Sequence, residues 1–441
     1  MTTRAWSHFD GVGRVHYGWI VAGAMFLVIL VGAAVRAVLP RFFDPIGEEL
    51  GWSLATLSYV TSGSILAYGL SQPVAGRYAD RFGPRVVLTA AVALCGLGAV
   101  VMSRTSSLWV FTAAAVALVG TGAGAASITV GTTIAARWFT DRRALVVSIA
   151  GAGAAAGISL AYPIAGTLTR LADWRTANLV MGLAMLAVVL PLAAWLIRSD
   201  PADVGLRPHG DDGAPRSAAA AAADARLTTV GAAMRTAGFW LLAGSFFVCG
   251  YTSFGVVGTH LFPHATRQGF TAAQTELALF LMGGMNIVGT MLSGWFCDRL
   301  GHKRPLAFFY FFRGLALLIL LWIPNIAVLD AWAVLFGLNY IATVPPTAAM
   351  TANLFGRRSV GAIFGVISLA HQIGAALGAA LGGFTYDLFG TYTFTWLSAA
   401  LLAMAAAVMA LLVPNAATGL PTGQAEPGER APAGAPAAAR A

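Results

Sequence analysis

Runs of about 20 apolar residues recur twelve times along this chain of 441 residues, and they restrict its fold more than any other feature. One such run, coiled as a helix, crosses the ~30 Å hydrocarbon core of a bilayer. Only 10% of the residues are charged, whereas about a quarter would be charged in a soluble protein of this size. Because so much apolar surface cannot be buried inside a globule, the sequence predicts an all-α membrane protein that crosses the bilayer many times.

The runs form two sets of six around one polar stretch. We place them at 18–40, 54–77, 86–103, 108–136, 144–169, 175–197, 238–262, 272–297, 305–323, 330–353, 359–385 and 390–413. The predicted organisation is an N-terminal tail (1–17), a six-helix bundle (18–197), a linker (198–237), a second six-helix bundle (238–413) and a C-terminal tail (414–441). The linker and the C-terminal tail lack a periodic apolar pattern, so we expect both to be mobile, the tail to be disordered and neither to be a catalytic domain. The alanine run of the linker could form a short cytoplasmic helix.

The positions of lysine and arginine predict the orientation of the chain. Of these 27 residues, 20 fall in the two tails and the even-numbered loops, five in the odd-numbered loops and two inside spans. Because positively charged loops stay in the cytoplasm, both termini are predicted to be cytoplasmic, in a plasma membrane or bacterial-type inner membrane. The same placement explains the net charge of +9 without a nucleic-acid partner.

One short charged turn occurs twice, each time between two apolar runs. Both copies keep a glycine, an aspartate, an arginine and a second glycine at the same spacing. The first copy contains Gly76, Asp80, Arg81 and Gly83, followed by Arg85, and the second contains Gly294, Asp298, Arg299 and Gly301. The repetition predicts two similar halves. Six spans per half give the halves the same orientation, as parallel repeats about an axis along the membrane normal.

Glycines also cluster at matching places in the fifth and eleventh spans. They are Gly151, Gly153 and Gly157 in the fifth, and Gly365, Gly374, Gly378, Gly382 and Gly383 in the eleventh. Small residues allow helix backbones to approach closely in lipid. Two interpretations stay open: these faces only pack, or they also slide against a partner helix during a change of state.

The paired turns of the form Gly-x-x-x-Asp-Arg-x-Gly, the six-plus-six spans and the central linker resemble the major facilitator superfamily of secondary transporters. Within it, Tyr17-Gly18-Trp19, the stretch from Arg41 to Ile46 and the stretch from Glu48 to Ser53 are similar to the bacterial monocarboxylate-porter and oxalate–formate-exchanger group. The resemblance implies twelve helices in two six-helix repeats, without enzymatic activity or a cofactor. The sequence has no loop of the form Gly-x-x-x-x-Gly-Lys, so we expect no direct use of ATP.

The resemblance also implies a gate at the cytoplasmic face. Asp80 would face the start of span 11, where unpaired N–H groups and the helix dipole stabilise an anion, and Arg137 would complete the charge network. The other residues assigned to this gate are Gly76, Arg81, Gly83, Arg85, Asp298 and Arg299. The alternative is that these arginines only fix the orientation of the chain.

No acidic residue falls deep inside a predicted span, but Arg36 and Arg313 do fall inside spans. A cation without an acidic partner is costly within a bilayer and is usually functional. Since the resemblance places span 1 at the central cavity, Arg36 could hold a carboxylate there, or it could extend to the outer interface. For Arg313 in span 9, the favoured interpretation is packing between helices or extension to the interface.

Polar residues inside spans complete the candidates. His371 is the leading candidate for proton coupling, and His260 is a weaker one. The further candidates for contact with a substrate are Tyr251, Asn286, Asn339, Tyr340 and Gln372, together with His371. We expect Pro345-Pro346 to break the helix of span 10. Span 8 has no basic residue, unlike commonly seen members of the group, and this favours a monoanion over a dicarboxylate.

These patterns together predict a secondary transporter of a small organic anion, such as a monocarboxylate, that works by alternating access in symport with a proton. The alternatives are anion exchange and export of a hydrophobic drug or metabolite. A sensor built on a transporter scaffold is a rival from another class, but it would need an output domain. The expected partners are the anion, a proton and the lipid bilayer, and we expect a monomer.

Overall fold

The computed structural model describes residues 16–139, 142–210, 229–355 and 360–414. Within these ranges the chain forms twelve long helical segments joined by short loops. Their bounds are α1 Tyr17–Ala37, α2 Leu54–Phe82, α3 Pro84–Arg104, α4 Leu108–Trp138, α5 Arg143–Leu171, α6 Trp174–Leu196, α7 Ala237–Arg267, α8 Ala272–Leu300, α9 Lys303–Ile319, α10 Ile326–Phe355, α11 Val360–Phe389 and α12 Thr393–Leu412. The predicted all-α fold is confirmed, and each predicted span overlaps one of these segments.

Several helices begin where a side chain can accept the free N–H groups of a first turn. Ser53, Asp173 and Asn325 precede α2, α6 and α10, and each accepts the backbone N–H three residues further on. At the start of α8, Thr271 and Gln274 form a reciprocal capping box. Local sequence therefore sets these helix starts.

Ten helical stretches of the described residues are long and apolar enough to cross a membrane. The remaining two long helices are α2, which is rich in polar residues and charged at its C-terminal end, and α9, which has 17 residues. Both coincide with predicted spans, the second and the ninth. Large apolar side chains such as Trp109, Met291 and Trp322 are strongly exposed, as contact with lipid requires.

Four of the long helices depart from regular α geometry, and one of them is α6, which has a π-helical segment at Met185–Val189. The chain leaves the α conformation in α10 after Asn339, just before Pro345-Pro346, and this confirms the predicted break. The corresponding helix of the first half, α4, is interrupted at Ala126. In α7, Tyr251–Val257 forms a π-helical segment, a feature that is frequent at functional sites.

The glycine-rich faces lie where helix backbones come closest. A Cβ added to Gly157 of α5 would overlap the Leu30 carbonyl oxygen of α1. In the second half, a Cβ added to Gly374 of α11 would overlap the Phe247 carbonyl oxygen of α7. The two halves therefore use the same device, in which small residues let a pair of helices pack backbone to backbone.

Both copies of the repeated turn end at a glycine with positive φ. Gly83 follows α2 with φ of 87°, and Gly301 follows α8 with φ of 73°. A side chain at either position would strain the backbone, since L-residues rarely adopt these angles. The final glycine of the motif is thus a requirement of the backbone in both halves.

The first part of the predicted linker packs on the ends of α1 and α4. His209 N donates to the Trp138 carbonyl at 2.8 Å, and Trp138 Nε1 donates to the Arg198 carbonyl at 3.1 Å. His16 Nε2 lies 3.1 Å from the Arg207 carbonyl oxygen. Residues 198–210 are therefore packed, which differs from the expected mobility because aromatic and hydrogen-bonding partners meet there.

The rest of the predicted linker up to residue 228, the first 15 residues and the tail from residue 415 lie outside the described residues. We keep the division into two six-helix bundles, with the predicted bounds, as a proposal.

Candidate functional site

A cavity lies between the first six helices and the last six. Its walls come from α1, α2 and α5 on one side and from α7, α8 and α10 on the other. The lining residues are Arg36, Ala37, Pro40, Thr61, Ile65, Ile158, Tyr162, Phe254, Gly258, Thr259, Leu279, Met282 and Tyr340. The cavity volume is about 40 Å³, room for a few water-sized groups, so a ligand held in it must be small.

Arg36 is the charged residue in the wall of this cavity. Its guanidinium carbon lies 4.6 Å from the centre of the Tyr68 ring and 5.5 Å from that of Phe254. Its Nε is buried and has no hydrogen-bond partner among the described residues. Two aromatic faces therefore hold the guanidinium in place while leaving N–H groups for an anion. The side chain points between the helices and does not extend to the outer interface.

Ion pairs close the end of the bundle that carries the predicted outer loops, which we call the outer end. Glu276, at the start of α8, is 3% exposed and accepts Arg41 Nε at 2.8 Å and Arg170 Nη1 at 2.9 Å. A second pair joins Asp44 to Arg267 at 2.6 Å. Both acid–base groups connect the first six helices to the last six, so this conformation is closed at the outer end.

Close backbone contacts strengthen the same closure. Ser159 Oγ of α5 donates to the Phe280 carbonyl of α8 at 2.9 Å. On the other side of the molecule, Ala55 N at the start of α2 donates to Asp387 of α11 at 3.1 Å. The α5–α8 and α2–α11 contacts thus also join the first six helices to the last six.

Phe254 brings three predicted residues together. Its ring is a cation–π partner of Arg36, and its ring centre lies 5.4 Å from that of Tyr340, which lines the cavity. The His371 ring lies 5.5 Å from Phe254 and 4.7 Å from Phe246. His371 is therefore separated from the Arg36 cavity by one aromatic ring.

Two other predicted residues, Asn286 and Asn339, support the break in α10. Asn286 Oδ1 accepts Ile341 N at 3.2 Å, which satisfies an N–H group that the break leaves free. Asn339 Nδ2 donates to the Phe309 carbonyl of α9 at 2.7 Å. Both amides thus contact protein backbone, and neither lines the cavity.

Three further candidates lie away from Arg36. Tyr251 faces a separate apolar pocket between α7, α11 and α12. Gln372 packs against Gly69 of α2, and His260 Nε2 lies 2.8 Å from the Ala379 carbonyl oxygen of α11. Their contacts in this conformation are between helices.

Arg313 is fully buried between α7, α9 and α10. Its Nη2 donates to the carbonyls of Asn339 and Tyr340 at 2.7 and 2.9 Å. Its Nη1 lies 3.0 Å from Cys249 Sγ and 3.3 Å from Thr252 Oγ1. The side chain therefore makes contacts between helices and does not extend to the membrane surface.

At the opposite end of the bundle, which is predicted to face the cytoplasm, Arg137 has an acidic partner that the sequence did not predict. Its Nη1 pairs with Asp200 at 2.9 Å, and its Nη2 donates to the Asp80 backbone carbonyl at 2.7 Å. The Asp80 carboxylate accepts Thr133 Oγ1 at 3.4 Å. Arg137 thus contacts the backbone carbonyl of Asp80. The carboxylate that pairs with Arg137 is that of Asp200, in the segment after α6.

The remaining gate candidates hold the repeated turns in place. Arg85 Nε donates to the Ala194 carbonyl at 3.0 Å. Arg81 and Arg299 stack over neighbouring aromatic rings, and Gly76 packs against α4. The side chain of Asp298 lies outside the described residues, as do residues 356–359, which precede α11. The gating role of these residues stays a prediction.

Sequence reasoning missed Tyr68, Phe254 and Glu276. The sequence of an apolar run does not indicate whether its aromatic residues face lipid or a cavity, so Tyr68 and Phe254 could not be selected. Glu276 falls one turn into α8, after the capping pair, and an acid at that depth could have been noticed. In the described part of the chain, no group of three or more His, Cys, Asp or Glu residues could hold a metal ion.

Two sets of six long helices with a cavity between them define the class of multi-pass membrane transporters. The profile of the Major Facilitator Superfamily matches residues 21–347 and 315–439. Because the matched residues are most of the chain, this protein belongs to the Major Facilitator Superfamily. The predicted family is confirmed.

Individual relatives are similar at low identity over nearly the whole chain. The uncharacterized MFS-type transporter YcxA of Bacillus subtilis is 25% identical, with 85% of this chain and 90% of the relative covered. Monocarboxylate transporter 12-B of Danio rerio is 25% identical (86% and 83% covered), and the oxalate:formate antiporter of Oxalobacter formigenes is 23% identical (84% and 87% covered).

A solved structure shares the fold. It is a bacterial homolog of the human lysosomal transporter Spinster in an inward-facing and occupied conformation. The TM-score is 0.70 at 17% identity, with 91% of this chain and 97% of that chain covered.

Proposed function

We propose that this protein carries a small organic monoanion of the monocarboxylate class by alternating access, in symport with a proton. The observation that carries this proposal is Arg36, whose buried Nε lacks a partner among the described residues in a cavity between the two sets of helices. Arg36 is half-buried, and a cation within a membrane-spanning segment is costly without an anion, which a bound carboxylate would supply. The relatives named as monocarboxylate transporters and as an oxalate:formate antiporter support an anionic cargo.

The cavity suits a short molecule with one charged end. A carboxylate would accept two parallel N–H groups from Arg36. The apolar remainder of the molecule would contact Ile65, Ile158, Leu279 and Met282. Arg36 is the one cation among the lining residues, so a dicarboxylate would leave its second charge unpaired. Size and charge together favour a monoanion of a few heavy atoms.

The ion pairs of Glu276 supply the outer closure that alternating access requires. Opening toward the outside would break these pairs, while Asp80 and Arg137 would latch the cytoplasmic face, in the predicted orientation with both termini in the cytoplasm. His371 is the proposed proton-coupling residue, because it lies one ring away from Arg36 and is almost completely buried. We propose that a monomer suffices, since both walls of the cavity come from one chain.

Uptake by proteoliposomes tests the role of Arg36. The panel contains radiolabelled formate, acetate, lactate and oxalate, with and without an inward proton gradient. Arg36→Gln should lower monocarboxylate uptake about tenfold to a hundredfold, as expected for the loss of a charge-assisted hydrogen bond of about 1.5–3 kcal/mol. Arg36→Lys should retain part of the uptake, because the charge stays but the bidentate geometry is lost.

Arg104→Gln is the matched control for Arg36→Gln. It removes one arginine charge from an exposed position at the end of α3, away from the cavity, and should leave uptake unchanged. Full uptake by Arg36→Gln would contradict the assignment of this residue to the substrate. Counterflow at a rate that does not depend on the proton gradient would favour anion exchange. If the protein transports a hydrophobic dye but none of the carboxylates in the panel, the drug-export alternative is favoured.

A further inference from the structure

We propose that Cys249 is a thiolate paired with the buried cation Arg313, and that Cys249 and His371 together form the site that binds and releases the transported proton. The role in transport rests on the proposed symport. The assignment of Cys249 as a thiolate does not rest on symport, so its ionisation and its role in proton coupling can be tested separately.

The charge of Arg313 is the first observation. The residue is 0% exposed, and no carboxylate forms an ion pair with it within the described ranges. A buried cation without a counter-charge is strongly destabilising. The hydrogen-bond acceptors of Arg313 are an amide, backbone carbonyls, a hydroxyl and the Cys249 sulfur. Of these, the sulfur is the acceptor that can carry a full negative charge.

The surroundings of the sulfur are the second observation. Cys249 Sγ lies 3.0 Å from Arg313 Nη1, 3.0 Å from Thr343 Oγ1 and 3.9 Å from Ser253 Oγ. Arg313 Nη1 of α9 donates to the sulfur, and Thr343 Oγ1 of α10 can donate to it as well, whereas Ser253 Oγ donates to the Tyr340 carbonyl at 3.3 Å. A charged donor at 3.0 Å suits a thiolate that accepts hydrogen bonds. Cys95 differs, since its Sγ donates to the Val119 carbonyl at 3.7 Å and must therefore carry its proton.

Three helices add titratable or charged groups that could affect the proton of the thiol. His371 faces it from α11, Tyr310 and Arg313 face it from α9, and Tyr340 faces it from α10. Among these groups Arg313 alone is always charged, because the guanidinium does not lose its proton in proteins. The site therefore has a fixed positive charge and two groups, the thiol and the imidazole, that can exchange a proton.

The proton step follows from this arrangement. A proton entering from water binds the His371 imidazole and then passes to Cys249, where an S–H bond forms as the N–H bond of the imidazolium breaks. Cys249 becomes neutral, and Arg313 loses the charge that balanced it. Arg313 still holds the carbonyls of Asn339 and Tyr340 at the break in α10.

The break in α10 links the proton to the anion. The Tyr340 backbone binds Arg313, while its side chain lines the Arg36 cavity. Phe254 likewise lies between His371 and Arg36. A change of charge at Cys249 is therefore transmitted to two walls of the cavity, although the proton site and the anion site do not overlap.

Ultraviolet absorbance of the thiolate tests the first half of the proposal without any transport. The purified full-length protein is titrated between about pH 5 and pH 9, a range around the ordinary cysteine pKa of about 8.5. Wild type should show one thiolate at neutral pH, and Cys249→Ser should lose it. Arg313→Lys should keep it because the charge is retained, and Arg313→Gln should shift its appearance to alkaline pH. Cys95→Ala, which removes another buried cysteine, should leave the signal unchanged.

Accumulation in proteoliposomes tests the second half. With one proton per anion, a gradient of about one pH unit should drive about tenfold accumulation of lactate by the wild type, measured before lactate equilibrates across protein-free liposomes. Cys249→Ser should reduce this to about onefold, since a serine hydroxyl does not ionise in this range, while lactate counterflow continues. His371→Gln should have the same effect on accumulation.

The outcomes separate the two proposals. The absence of a thiolate signal at neutral pH in the folded wild type overturns the assignment of Cys249, whatever the protein transports. A thiolate signal with full proton-driven accumulation by Cys249→Ser overturns its role in coupling. Failure of the wild type to transport any monocarboxylate overturns the proposed function and the coupling role with it, while the spectroscopic result still decides the thiolate.

Discussion

Gly374 and Gly365 lie on the same helix, α11, but their surroundings are opposite. The Cα of Gly374 faces the Phe247 carbonyl of α7 with no room for a Cβ, whereas a Cβ at Gly365 would meet nothing within 4 Å. The need for glycine at a position in a membrane helix is therefore set by the partner helix. Sequence alone identified the glycine-rich face but could not rank its members.

Alanine at these two positions should have opposite effects on stability. Gly374→Ala should destabilise the folded protein by about 1–3 kcal/mol, because the added methyl group forces the backbones of α7 and α11 apart. Gly365→Ala should be neutral or stabilising by up to about 1 kcal/mol, since alanine restricts the unfolded chain. Thermal unfolding in detergent, followed by tryptophan fluorescence, compares the two. Equal melting temperatures for the two variants would contradict the close α7–α11 contact.

His16 makes the packing of the linker sensitive to pH. Burial lowers the pKa of His16 below its ordinary value of 6.5. The hydrogen bond to the Arg207 carbonyl opposes this shift, and nearby His209 adds to it. Because the pKa is lower in the folded protein than in the unfolded chain, the folded protein binds fewer protons. The stability contributed by neutral His16 is complete above about pH 6.5 and is lost as the pH falls toward the lowered pKa.

Wild type should therefore lose more stability than His16→Asn when the pH falls from about 7 to about 5. Asparagine keeps an acceptor for the Gly18 N–H at the start of α1 but does not titrate. The measurement is the difference in melting temperature between the two proteins at each pH, which cancels the titration of shared groups. Parallel curves for wild type and His16→Asn would contradict this role of His16.

At the scale of helices, the break in α10 shows how a membrane protein satisfies freed backbone groups. Asn286 of α8 accepts the Ile341 N–H, Ser293 donates to the Ala342 carbonyl, and Arg313 of α9 donates to two more carbonyls. Without water in the bilayer core, such groups must find partners in neighbouring helices. The break is therefore a feature of three packed helices and not of α10 alone.

Asn286→Ala should destabilise the protein by about 1–3 kcal/mol, because it leaves the Ile341 N–H buried without an acceptor. Thr351→Val is the control on α10. It removes a buried hydroxyl that donates to the Thr347 carbonyl within the helix, and this carbonyl can keep its ladder partner. Thermal unfolding should separate the two variants clearly. If Asn286→Ala unfolds at the same temperature as Thr351→Val, the amide does not support the break.

Features with a local cause could be predicted from sequence at this scale, and others could not. Pro345-Pro346 predicted the break in α10, because a proline lacks the N–H group of the helical ladder. The positive φ of Gly83 and Gly301 also depends on the residue itself, but it was not predicted from the repeated turns. The interruption of α4 at Ala126 and the π-helical segment of α7 have no such local mark. They depend on contacts with neighbouring helices, and the hydropathy of a single run does not indicate which helices it will contact.

At the scale of the whole molecule, the same limit applies to the cavity. Arg36 could be selected from sequence because an arginine in an apolar run is rare and costly. Its aromatic partners Tyr68 and Phe254 belong to α2 and α7, and nothing in either run indicates that they meet above one guanidinium. Conversely, Asn286 and Asn339 were selected as candidates for substrate contact because they are polar, but their side-chain amides form hydrogen bonds with backbone groups of the protein.

The outer closure depends on a small number of charges that connect the two sets of helices. Glu276 of α8 holds Arg41 and Arg170 from the first set. Glu276→Gln keeps the size of the side chain but removes the charge, so the outer end should open more often. A loss of about 1.4 kcal/mol corresponds to a tenfold change in the ratio of closed to open molecules, and a charge-assisted hydrogen bond contributes about 1.5–3 kcal/mol.

Labelling of a cysteine introduced by Ser58→Cys measures this opening. Ser58 of α2 is completely buried against Gly383 of α11 at the outer end, so a membrane-impermeant maleimide can reach the position only after the two helices separate. In this background Glu276→Gln should raise the labelling rate about tenfold, after subtraction of the rate for the parent protein without the added cysteine. The matched control is Glu49→Gln, because Glu49 forms its ion pair with Arg175 inside the first set of helices. Equal labelling rates for Glu276→Gln and Glu49→Gln would show that the ion pairs of Glu276 do not hold the outer end closed.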